Sequence, residues 1–82
     1  MKKAIYFSTQ TCAPCKALKP IVQQVSNNLK VPVQYIDAQI HTQEAAKYSI
    51  NQVPTILILD GDTVIRRHTG LASQSQIQIL FS

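Results

Sequence analysis

Cys12 and Cys15 are the only cysteines in this 82-residue sequence, and they are its side chains best suited to covalent chemistry. A disulfide between them would close a very short loop. Loop-closure stabilisation grows with the length of the loop, so stability is a poor reason for this spacing and reactivity a better one. The thiolate is the attacking species in disulfide exchange, and it needs a lowered pKa and an exposed sulfur. If Cys12 begins a helix, unpaired backbone N–H groups and the helix dipole favour its thiolate. Cys15 then lies within the first turn, less exposed and close enough to bond Cys12. Cys12 would attack a disulfide, and Cys15 would resolve the mixed disulfide.

A Cys-x-x-Cys pair is also half of a zinc site, and two chains could share an iron–sulfur cluster. Zinc needs four ligands, and beyond the pair only His41 and His68 stand ready. Their neighbours do not resemble a finger spacing, so the expectation is no metal and two surface histidines.

The flanking sequence contains the elements that must position the pair. Lys3 to Ser8, with Ile5, Tyr6 and Phe7, reads as a strand buried on both faces. Ser8 to Thr11 is a polar loop. From Ala13 the period changes, and Leu18, Ile21, Val22, Val25 and Leu29 mark one face of a helix. Pro14 suits a helix start, whereas Pro20 falls inside and predicts a kink. Val33 to Asp37 reads as a strand, and a second helix is expected from an N-cap at Thr42 through Tyr48. Thr55 to Leu59 is a strong strand, Asp60-Gly61 a hairpin turn, and Thr63 to Thr69 the returning edge strand. Ser73 with Gln76 forms a capping box before Ile77, Leu80 and Phe81.

The order β-α-β-α-β-β-α predicts an α/β fold over residues 1–82 as a single domain. Its sheet is mixed and four-stranded, with helices on both faces and a right-handed crossover between the first two strands. In such sheets ligands sit beyond the carboxyl ends of the parallel strands, where Cys12 and Cys15 fall.

Composition narrows the classes. The chain is 45% hydrophobic and 15% charged, which is globular. Its longest apolar run, Ile56 to Leu59, is too short to span a bilayer, and no signal-peptide pattern opens the chain. The expectation is a mature cytoplasmic protein with no membrane role. The net charge is +4, but the basic residues are scattered without interleaved aromatics, so no nucleic-acid partner is expected.

The surroundings of the cysteines resemble thioredoxin and its short glutaredoxin-like relatives, along nearly the whole chain from Ala4 to Phe81. Thr11-Cys12-Ala13-Pro14-Cys15-Lys16 is similar to the thioredoxin motif Trp-Cys-Gly-Pro-Cys-Lys. Pro20 resembles the proline in that family's active-site helix, Val53-Pro54-Thr55 its cis-proline segment, and Gly70 a glycine lining its substrate groove. The resemblance implies a minimal thioredoxin-like fold and a Cys12–Cys15 redox disulfide with no bound cofactor. It implies a substrate surface of Thr11, Ala13, Pro14, Val53, Pro54 and Gly70. The main chain of Val53 would pair with an extended substrate. Partners would be disulfide-containing proteins and a thioredoxin reductase passing electrons from NADPH, with the protein a monomer.

Three departures qualify this. The N-terminal strand and helix of full-length thioredoxin have no counterpart, so four strands are expected rather than five. Thr11 and Ala13 replace the tryptophan and glycine of the motif. By position, Tyr6 takes the place of the family's buried aspartate and Tyr35 that of its lysine partner, so either water or the Tyr6 hydroxyl would handle the proton of Cys15. The plainer alternative is that both tyrosines are core. A glutathione-dependent glutaredoxin-like reductase is a further alternative, disfavoured because Thr69-Gly70-Leu71-Ala72-Ser73 offers one glycine and no carboxylate. A non-catalytic binding subunit of the same fold is another.

Overall fold

A computed structural model describes all residues, 1–82. The first strand, β1 (Lys2–Ser8), decides the layering, because its buried residues divide between two faces. Ala4 and Tyr6 join one apolar cluster, and Ile5 and Phe7 join another. A strand buried on both sides belongs in the middle of a sheet. β1 pairs in parallel with β2 (Val33–Asp37) and antiparallel with β3 (Thr55–Asp60). β3 alternates in the same way, Ile56 and Ile58 against Leu57 and Leu59. β4 (Thr63–Thr69) completes the order β2-β1-β3-β4.

The helix α1 (Ala13–Leu29) lays Leu18, Val22 and Val25 on the first face, beside Ile77 and Phe81 of α3 (Gln74–Phe81). The opposite face is covered by α2 (Thr42–Lys47), which contributes Ala45. The expected element order, mixed sheet and two helical layers are all present. α1 runs through Pro20 as one element, although that residue has no N–H to give the ladder. Its end is set by Lys30, whose left-handed φ of 57° closes the cap by donating to the Ser26 carbonyl. The Ser73–Gln76 capping box is complete in both directions.

Two local expectations are corrected. The N-cap of α2 is His41, not Thr42, and no side chain caps that end. The hairpin turns at Gly61–Asp62, one residue later than Asp60-Gly61, because Asp60 still pairs with Thr63. Gly61 supplies the positive φ, +61°, at the first turn position. Arg66 and Arg67 lie exposed on the edge strand β4, and both donate to main-chain carbonyls at helix ends. Arg66 Nη1 donates to the carbonyls of Ile79, Leu80 and Ser82 at the end of α3, while Arg67 donates to Tyr48 and Ser49 at the end of α2. Neighbours on a strand point to opposite faces, so this pair reaches both helical layers.

Candidate functional site

Strand register brings three separated segments to one end of the sheet. β1 runs toward this end and continues through Ser8 into the loop before Cys12. Phe7 pairs with Thr55, so the segment 52–54 arrives at the same end. Thr55 pairs with Thr69, which places Gly70 there as well. Parallel pairing of Ser8 with Asp37 adds the loop that carries Ile40.

Cys12 is the N-cap of α1 and is bonded to Cys15 in a disulfide, with Cα atoms 5.2 Å apart. Its sulfur also accepts the main-chain N–H of Cys15 at 3.1 Å. A sulfur held at a helix N-terminus by a backbone donor is stabilised as the anion when the pair is reduced. Nothing acidic occupies the first turn of α1 to oppose that. Cys12 is half-buried, whereas Cys15 is only 3% exposed. Thr11, Ala13 and Pro14 surround Cys12 and are exposed.

Val53 is half-buried and Pro54 buried, and the peptide bond between them is cis. The Pro54 carbonyl accepts the N–H of Gly70 at 2.8 Å, so the proline segment and Gly70 are joined main chain to main chain. Gly70 has φ +93°, a conformation that favours glycine, and space is open where a side chain would stand.

Behind the disulfide a cleft of about 320 Å³ is lined by Tyr6, Cys15, Lys16, Lys19 and Asp37, among others. The Tyr6 hydroxyl donates to the Cys15 main-chain carbonyl at 2.6 Å, so its proton is committed to the backbone rather than to sulfur. Burial foremost, with Tyr35 adding to it, pushes the Tyr6 phenol up to about 12. Tyr35 is the register partner of Tyr6 and meets it edge to face at 5.8 Å. It is not a core residue, being 40% exposed beneath the Lys19 ammonium.

No three His, Cys, Asp or Glu side chains converge to hold a metal ion. His41 is exposed, and His68 is half-buried with Nε2 3.3 Å from the Leu71 carbonyl. No helix is long and apolar enough to cross a membrane.

Comparison with known proteins agrees with this geometry. Residues 2–81 match the family model described as Thioredoxin. The chain belongs to the thioredoxin family. Thioredoxin C-2 of Corynebacterium nephridii is 32% identical over 68 residues, covering 80% of this chain and 63% of that protein. The mitochondrial thioredoxin of Bos taurus is 31% identical over 74 residues, covering 88% of this chain and 45% of that one. The chain thus spans less than two thirds of the length of these thioredoxins. In fold it superimposes on a mutant thioredoxin of Halobacterium salinarum with a TM-score of 0.92 at 22% identity, covering 98% of this chain and 71% of that one.

Several residues at this thioredoxin site escape a reading of the sequence. Asp37 Oδ1 accepts the N–H groups of Gln39 and Ile40 and so shapes the loop after β2. Asx-type turn chemistry was the available signal for it. Ile40 and Leu71, 64% and 61% exposed, put apolar surface at the site end. No periodicity marks them, because both lie in loops.

Proposed function

We propose that the protein is a thiol–disulfide oxidoreductase that reduces protein disulfides through the Cys12/Cys15 pair. The observation that carries this reading is the asymmetry of the pair. One sulfur caps a helix, accepts a backbone N–H at 3.1 Å and belongs to a half-buried residue, while the other belongs to a residue only 3% exposed.

The steps follow from that asymmetry. In the reduced protein the Cys12 thiolate attacks one sulfur of the substrate disulfide. A Cys12–substrate bond forms, and the other substrate sulfur leaves as a thiolate that takes a proton from water. Cys15 then loses its proton and attacks Cys12 Sγ. The Cys12–Cys15 bond forms, the second substrate sulfur leaves, and two electrons have passed to the substrate. The oxidised product is the disulfide seen here. An extended substrate segment would lie along Val53, Pro54 and Gly70, its main chain pairing with that of Val53. Thr11, Ala13 and Pro14 would flank the attacked sulfur.

The proton of Cys15 is assigned to water in the adjoining cleft, since the Tyr6 hydroxyl is bonded to a carbonyl. Electrons would be restored from NADPH by a thioredoxin reductase. The working form would be a monomer in the cytoplasm, where thiols are kept reduced. Membership of the thioredoxin family supports the exchange of disulfides on which these assignments rest.

The test is reduction of insulin disulfides by dithiothreitol, with and without the protein. Acceleration by the native protein and none by Cys12→Ser is the expected result. Equal rates with native protein and variant would overturn the reading.

A further inference from the structure

Thr55 is completely buried at the head of an otherwise aliphatic run, Ile56 to Leu59. Valine has the same shape and suits a buried strand better, so packing alone does not call for a hydroxyl there. The hydroxyl lies 2.6 Å from the Gln52 carbonyl, to which it donates, and 3.4 Å from Thr69 Oγ1. A hydroxyl has one proton to give. With that proton on Gln52, Thr69 is the donor across the strand pair. The main-chain bond from Gly70 N–H to the Pro54 carbonyl runs beside this link at 2.8 Å. Two hydroxyls and one amide thus join the turn before β3 to the segment after β4. All three bonds lie at the site end of the β3–β4 pair.

We propose that Thr55 is a positioning residue, whose hydroxyl locks the Gln52–Thr55 turn onto Thr69 so that the Val53 main chain and Gly70 present one rigid docking edge to a polypeptide substrate. This rests on the exchange reading given above. Thr55 touches neither sulfur nor substrate and acts through Val53. Its loss weakens the binding of chains that need the edge, and leaves the attack of Cys12 on a small disulfide unchanged.

Thr55→Val, Thr55→Ser and Thr69→Val, each beside the native protein, test this with two substrates. One is insulin under steady-state reduction. The other is 5,5′-dithiobis(2-nitrobenzoic acid), which has no peptide main chain to dock. For Thr55→Val the KM for insulin is expected to rise about fivefold, the size of effect that follows from one lost hydrogen bond, with kcat within about twofold of native. The rate constant for the aromatic disulfide stays at the native value, and Thr55→Ser restores the insulin KM. Thr69→Val shifts KM in the same direction by about twofold. A native insulin KM in either valine variant, or equal losses on both substrates, overturns the proposal. If Thr55→Val does not fold, the exposed Thr69 position decides by the same criteria. A native protein that reduces neither substrate would instead overturn the exchange reading itself, a result distinct from an active protein indifferent to both valines.

Discussion

The Tyr6 hydroxyl donates to the carbonyl oxygen of Cys15 at 2.6 Å, tying the middle of β1 to the first turn of α1. That carbonyl belongs to the same residue whose N–H holds the Cys12 sulfur. Tyr6 therefore secures the peptide frame of the disulfide and leaves its sulfurs alone.

Tyr6→Phe keeps the buried ring and removes this bond. It is expected to lose about 1 kcal/mol of stability, measured by urea unfolding at pH 7. Its rate of insulin reduction should follow the native pH profile between about pH 6 and 8, since the hydroxyl does not meet sulfur. A displaced profile would return the phenol to proton handling.

The raised pKa of Tyr6 predicts a difference at alkaline pH. Its folded value, about 12, lies above the unfolded value of about 10. Below pH 10 the phenol is protonated in both states, so its contribution is fully present. From pH 10 toward 12 the unfolded chain ionises first, and stability falls by at most about 1.4 kcal/mol per pH unit. Urea midpoints taken from pH 9 to 11.5 should fall more steeply for the native protein than for Tyr6→Phe.

Cys15→Ser should leave the first attack intact and stop the second. Incubated with a protein disulfide, the reduced variant should accumulate a covalent Cys12–substrate species, visible on non-reducing electrophoresis. Cys12→Ser should form none. A trapped species in Cys12→Ser would reverse the roles assigned from burial.

Lys30 holds φ 57° at the end of α1, a conformation that costs an L-residue about 1 kcal/mol and glycine nothing. Lys30→Gly should stabilise the protein by about 0.5 to 1 kcal/mol, read from the urea midpoint, without altering insulin reduction.

Much of this arrangement was legible in the sequence. The change of period at Ala13 and the capping box at Ser73 are local signals, and local hydrogen bonds fixed both elements where expected. The cysteine pair was legible because it joins a strand to a helix. What escaped was decided over longer distances. The β3–β4 pairing shifts register between Ile58 and Leu59, so the turn fell on Gly61–Asp62. Tyr35 looked like core by its type, but β2 is an edge strand and leaves the ring half in water. The partners of Arg66 and Arg67 escaped because those carbonyls lie at the ends of helices that only the folded sheet brings near.

Those arginines give a further test. Arg66→Ala removes the donor to three carbonyls of α3, and Arg67→Ala the donors to two beyond α2. Each should lower stability by about 1 kcal/mol, the exposed setting holding the effect below that of buried charge-assisted bonds. Arg67→Lys should not restore it, because a lysine lacks the fork that meets both carbonyls. Thermal unfolding of the three variants checks this.

The same dipeptide bears on how the molecule comes apart. Peeling β4 away would release the end of α2 on one side and the end of α3 on the other in a single event. At that edge one strand couples the opening of both helical layers. Amide hydrogens near Tyr48 and near Leu80 should therefore exchange through one shared fluctuation, as a single cooperative unit rather than two.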